Sequence, residues 1–168
     1  GQSHSVSINW GDGSSPTTLT LGIGVKTFTA MHQYKDDNPT ATATDSYTVG
    51  ITVSDGASSV TGYPTVTVNN VAPVISTFAG PLAPQALGTP MSVTANFTDV
   101  GTLDTHTCSV NWDDGPPTAG TVTESLGSGS CTASHTFANP GVYSVVVTIT
   151  DDDTGSKDRP LDVQYIVV

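Results

Sequence analysis

The chain repeats itself. HSVSINWGDG, from His4 to Gly13, returns as HTCSVNWDDG from His106 to Gly115. AMHQY (Ala30 to Tyr34) returns as ASHTF (Ala133 to Phe137), and YTVGITVSDG (Tyr47 to Gly56) returns as YSVVVTITDD (Tyr143 to Asp152). Self-similarity of this kind limits the fold more than any single residue does, because one supersecondary unit has to be built twice. It also separates what the architecture demands from what chemistry needs. Histidines, tryptophans and turn aspartates that recur at matched places belong to the architecture first. The 168 residues divide accordingly into two domains, 1–70 and 71–168.

Within each copy the apolar pattern has period two. Val6, Ile8 and Trp10 alternate with Ser5, Ser7 and Asn9, and Cys108, Val110 and Trp112 alternate with Thr107, Ser109 and Asn111. Tyr47, Val49, Ile51 and Val53 share one side of a further run. Alternation of this sort marks strands with one face on a core. Turn clusters separate them: GDGSSP, DDNP, SDG, DDG and DDDTG. No segment carries a helical stripe. The expected fold is all-β, two antiparallel sandwiches in tandem.

Asn9-Trp10-Gly11-Asp12-Gly13 and its second copy, Asn111 to Gly115, are similar to the W-D-F-G-D-G strand and turn of the PKD (polycystic kidney disease) domain family. The stretch His135 to Tyr143 matches that family's H-x-Y-x-x-P-G-x-Y segment, with Phe137 at the inner aromatic position. The first copy departs from it through extra residues within Asp36 to Ser46. The resemblance spans nearly the whole chain. It implies an immunoglobulin-like sandwich in an extracellular protein, not a reaction.

Aligning the copies leaves the first one short. The second opens with two strands, Val74 to Ala79 and Met91 to Thr98, before its tryptophan-bearing strand; the first begins three residues before His4 and has neither. A sandwich without them leaves open edges and uncovered core. The expectation is a piece of a longer array of repeats, the alternative being strands supplied by another chain.

Charge narrows the partners. Lys26, Lys35, Lys157 and Arg159 stand against fifteen acidic residues, all but Glu124 being Asp, for a net charge of −11. That balance repels phosphate backbones and anionic lipid, which argues against nucleic-acid or membrane-surface binding. No apolar run is long enough to cross a bilayer. Cys108 and Cys131 take the places of Val6 and Phe28, both assigned to inward faces, so an apolar pair has been exchanged for a cysteine pair. An inter-sheet disulfide is expected, worth about 3 kcal/mol on the loop-entropy model. It implies an oxidising location, extracellular or on the cell surface.

The candidate sites follow from what repeats and what does not. His4 pairs with His106 and His32 with His135 across the copies, which reads as structure, and no G-x-S-x-G elbow or phosphate loop is present. Catalysis is not expected. Trp10 and Trp112 precede tight turns on inward faces and are assigned, with His32 and His135, to the core. The aspartates are different. If the linker Asn69 to Pro73 sets the copies end to end, the first brings up Asp12, Asp36, Asp37 and Asp45, and the second Asp99, Asp104 and the Asp151-Asp152-Asp153 run. Calcium takes roughly six to eight oxygen ligands, and such a joint could supply them. The longer loops favour Asp36, Asp37, Asp99, Asp104, Asp151 and Asp153 as ligands; turn capping by each Asp is the competing role.

The functional expectation is a non-catalytic spacer, or a repeating unit of a surface protein or fibre, whose partners are other repeats or neighbouring copies. Two rivals stand beside it: a filament subunit completed by strand exchange, and an accessory module of a secreted enzyme that grips protein or polysaccharide.

Overall fold

A computed structural model describes residues 1–37, 41–161 and 165–167, the last three through their backbone alone. Asn38 and Pro39 of the expected DDNP turn lie outside the described residues. The described chain is all-β, without helices, and forms two sandwich-like units. The first comprises Gly1–Pro39 and Thr44–Asn69; the second comprises Asn70–Val168 together with Thr40–Ala43.

In the first unit, β1 (His4–Asn9), β2 (Thr17–Leu21), β4 (Gly50–Ser54) and β5 (Ser59–Gly62) make an antiparallel sheet in the order β2-β1-β4-β5. The other two strands, β3 (Thr44–Thr48) and β6 (Thr65–Asn69), pair as a separate ribbon. Turn chemistry sets these hairpins. The Asp12 carboxylate accepts from the Ser14 amide and hydroxyl, and Asp55 accepts from the amides of Ala57 and Ser58, so each aspartate closes its own turn. The run Tyr47 to Val53, which reads as one strand in the sequence, is divided. Its first half pairs with β6 and its second with β1, and the chain changes sheets at buried Val49. Period two survives that switch, which is why alternation alone does not reveal it.

The second unit has two full sheets. One contains β9 (His106–Asn111), β10 (Thr118–Ala119), β14 (Val146–Asp151) and β15 (Ser156–Pro160), in the order β10-β9-β14-β15. The other contains β7 (Val74–Ala79), β8 (Met91–Thr98), β11 (Thr121–Ser125) and β12 (Ser128–His135), in the order β11-β12-β8-β7. A short ribbon joins β13 (Gly141–Tyr143) to β16 (Tyr165–Val167). Met91, Val93, Ala95 and Phe97 of β8 all turn inward, facing Val110, Val147 and Ile149 of the opposite sheet across one core that also holds Trp112.

Two links tie these sheets. Cys108 on β9 and Cys131 on β12 form a disulfide with a Cα–Cα separation of 6.2 Å. The backbone of Gly120 runs against it: its amide donates to the Cys108 carbonyl, and a Cβ there would collide with both sulfurs. At the outer edge, the register of β7 against β8 shifts between Ile75 and Thr77. Arg159 on β15 reaches over and donates to the carbonyls of Ile75 (3.0 Å) and Ser76 (2.6 Å), satisfying acceptors at the irregularity.

Candidate metal centre

Loops of the second unit gather carboxylates at one end of the sandwich. Asp99 follows β8, Asp104 precedes β9, and Asp151 ends β14 where the chain turns toward β15. Antiparallel pairing sets Asp151 opposite His106 and so brings the loops together. Asp99, Asp104 and Asp151 each offer a carboxylate oxygen within 4.8 Å of the others. Asp104 and Asp151 are buried, and the Asp99 side chain is 0% exposed.

The turn itself is tightly organised. One Asp151 oxygen accepts from the amides of Asp153 (3.0 Å) and Gly155 (2.7 Å), and the other accepts from Asn70 Nδ2 (2.9 Å). Gly155 has to be glycine, because a Cβ would run into the Asp151 carboxylate and the Asn70 amide. The Asp152 carboxylate faces a different way and accepts from the amide and hydroxyl of Thr105. Residues of the Thr40–Ala43 segment are stitched into the same unit: the Ala41 amide donates to the Asp152 carbonyl and the Asn70 amide to that of Ala43.

Asp153 is 0% exposed, and its carboxylate lies beside the backbone amides of Ala41 and Thr42. Burial raises its pKa above the ordinary carboxylate value, and the negative charges of Asp152 and Asp151 push the same way; the nearby amides of Ala41 and Thr42 offset this only in part. One of its oxygens lies within 4.8 Å of a carboxylate oxygen of Asp104. His106 closes the other side. Its ring bonds Glu124 through Nδ1 at 2.7 Å and Asp99 through Nε2 at 3.1 Å. Burial disfavours its charged form, yet the bonds to Asp99 and Glu124 prevail and its pKa is raised.

Four of the six aspartates expected as ligands thus meet within the second unit. Asp36 and Asp37 belong to the first, where the Asp36 carbonyl accepts from the Tyr47 hydroxyl and Asp37 is buried. Sequence reasoning assigned His106 to structure, placed Asn70 in the linker and gave Glu124 no role. A signal was available for one of them: Glu124 is the single Glu in a chain of Asp. A longer side chain is what reaches from β11 to a histidine on β9, in the opposite sheet.

The repeated histidines have a second environment, common to both units. His32 stacks on Trp10 (ring centroids 4.6 Å apart) and bonds Asp12 at 2.7 Å; His135 stacks on Trp112 (5.0 Å) and bonds Asp114 at 2.8 Å. Each indole donates to a threonine hydroxyl, Thr17 or Thr118. Trp112 is 1% exposed, and Trp10 is partly buried against its unit's core. The His–Asp pair therefore pins a tryptophan and its turn.

The second unit, with two antiparallel sheets face to face and a covalent tie between them, defines an immunoglobulin-like β-sandwich. Residues 70–168 match the family model described as PKD domain, and the chain belongs to that family. Membership supports a non-catalytic extracellular structural module. No curated protein matches the chain. Among solved structures, domains 4 and 5 of the S-layer protein SbsC are similar to it at 17% identity and a TM-score of 0.33, over 74% of this chain and 66% of that one.

Proposed function

We propose that this chain is a load-bearing spacer, or a repeating unit of a cell-surface protein or fibre, working outside the cytoplasm without catalysis. The observation that carries the reading is membership of the PKD family across residues 70–168. The Cys108–Cys131 bond supports an oxidising setting. Its position also suits mechanical duty, because it crosses from one sheet to the other and a pull cannot separate the sheets while it is intact. An antibody raised against the 168-residue chain, applied to intact cells of the source, should label their surface, and brief external proteolysis should remove the label. Labelling that needs permeabilised cells would overturn the proposal.

One observation favours strand exchange as a second reading. In the first unit the segment that corresponds to β12 belongs to no ladder and leaves Ile23, Val25, Phe28 and Met31 exposed. In the second unit β8 pairs with that segment, and Cys131, the counterpart of Phe28, is buried opposite Ala95. A neighbouring copy supplying such a strand would complete this ladder and cover Phe28. Sedimentation of the purified chain over a wide concentration range should then show association, and a monomer throughout would remove this reading.

A further inference from the structure

We propose that the segment from Lys26 to Tyr34 in the first unit is a β-augmentation site, which takes up one extended strand of a partner polypeptide. The occupant is a run as long as the eight-residue β8. It has apolar side chains at alternate positions, Ser or Thr between them, and an acidic residue at its C-terminal end. The proposal takes the open ladder from the strand-exchange reading above, yet it does not need a neighbouring copy as donor. The chain's own β8 is a poor donor, because Met91, Val93, Ala95 and Phe97 are already enclosed in the core of the second unit.

This segment keeps the alternation of a strand without the pairing of one. Ala30 packs on the cluster of Val6, Ile8 and Val49, His32 stacks on Trp10, and the Tyr34 ring lies 4.6 Å from that of Tyr47. The backbone of residues 26–34 joins no ladder and, among the described residues, makes no backbone–backbone hydrogen bond. A segment held by one face, with its amides and carbonyls unpaired, is a ready template for another strand. The inner sheet face of the same unit is also incompletely covered. Ile51 and Val53 match Val147 and Ile149 of the second copy, which are 0% exposed. In the first unit Ile51 and Val53 are only partly buried, and Val60, paired with Val53, is 76% exposed.

The second copy specifies the occupant. There the matching strand, β12, pairs antiparallel with β8, setting Cys131 opposite Ala95, Ala133 opposite Val93 and His135 opposite Met91. Phe28, Ala30 and His32 take the places of Cys131, Ala133 and His135. The incoming strand therefore runs antiparallel, with a long apolar residue opposite His32 and a branched one opposite Ala30. Opposite Phe28 it needs a small residue, since the phenyl ring already fills more volume than the cysteine does. Charge sets the ends. Lys26 and Lys35, two of the four basic residues in a chain of net charge −11, bracket the open segment, and both are exposed. In the antiparallel register the C-terminal end of the strand comes to Lys26, where a carboxylate is favoured; the residue that follows β8 is Asp99.

The probe is a synthetic peptide spanning Met91 to Asp99, blocked at both ends and titrated into the whole 168-residue chain. One saturable event is expected, with amide hydrogen exchange across residues 26–34 slowed at least about tenfold and exchange in β8 unchanged. N-methylation of alternate peptide amides should weaken binding at least about tenfold for one set of positions and spare the other, because a single edge uses every second amide. Ala95→Trp in the peptide should weaken it by about tenfold or more, through the clash with Phe28. Lys26→Glu in the chain should weaken it about threefold, and a peptide ending in Lys instead of Asp should restore the loss. Sedimentation of the chain alone tests the neighbouring-copy reading, so either can fail without the other. Four results would each overturn the proposal: no saturable binding, protection confined to another edge such as β5, equal weakening by both N-methylated sets, or loss of protection in β8.

Discussion

Trp10 and Trp112 end equivalent strands, stack on equivalent histidines and donate to equivalent threonines, yet they sit in units of very different depth. Around Trp112 the core is a continuous cluster of fourteen buried apolar residues drawn from two four-stranded sheets; around Trp10 the fully buried set is Val6, Ile8 and Val49. What the first unit lacks, among the described residues, is the whole sheet that β7, β8, β11 and β12 make in the second. The turn motif is therefore a local device that forms wherever its residues occur. The depth of the core depends on whether a second sheet is present to cover the first.

Having one tryptophan in each unit makes this comparison measurable, since Trp10→Phe and Trp112→Phe leave a fluorescence reporter in the other unit. The largest contrast is expected from core truncation. Phe97→Ala should cost the second unit about 3–5 kcal/mol, as a buried ring is lost. Phe28→Ala, at a ring 37% exposed, should cost the first unit less than about 1 kcal/mol. Equal losses in urea titrations would break the distinction between a deep and a shallow core.

Reduction of the Cys108–Cys131 bond comes next. It should lower the stability reported by Trp112 by about 3 kcal/mol and leave the Trp10 signal in place. Gly120→Ala should act in the same direction even under oxidising conditions, because the added methyl displaces the sulfurs. A variant with unchanged melting would show that the sheets have room to move apart.

Arg159→Met should cost about 1.5–3 kcal/mol, the value of charge-assisted hydrogen bonds to the Ile75 and Ser76 carbonyls. Arg159→Lys should recover only part of this, since one ammonium cannot reproduce the guanidinium's reach and geometry. Full rescue by lysine would mean that charge alone matters at that edge.

The smallest effect concerns acid. Burial would raise the pKa of Asp12, but hydrogen bonds from Ser14 and the bond to His32 overcome it and lower the value from 3.8 to about 2. The folded state thus holds this proton less tightly than the unfolded chain does. The stabilisation is complete above pH 3.8 and is lost as pH falls through about 2. Asp12→Asn should flatten that part of the Trp10 stability profile, and an unchanged acid limb would remove the carboxylate from the account.

Much of the fold was legible because its signals are local. Alternation identified strands, Gly-Asp turns separated them, and the repeated Trp-turn and His-x-aromatic segments carried the family resemblance. Phe28 shows where that logic stops. Aligned with Cys131, it was assigned to an inward face, but the structure leaves it more than one-third exposed and its segment outside any strand. A strand is a property of a ladder, and without a neighbour corresponding to β8 the same alternation has nothing to pair with. The division of Tyr47 to Val53 between two sheets was hidden for a related reason, since both halves are half-buried and keep one parity.

The acidic site shows the same boundary between local and distant information. Composition pointed to Asp-rich loops as oxygen donors. It could not say that Asp153 would be wholly enclosed while Asp152, its neighbour, would face Thr105 instead. Nor could it anticipate His106 held between Asp99 and Glu124, although its counterpart His4 carries the same sequence signature.

By itself, the sequence determined an all-β chain of PKD type, its repeated turns and its cysteine pair, because each is written in neighbouring residues or in matched positions of two copies. Tertiary structure alone decided which repeat has a deep core and which aspartates lose contact with water. Both outcomes depend on what packs on the far side of a sheet or across a loop, and that partner is always distant along the chain.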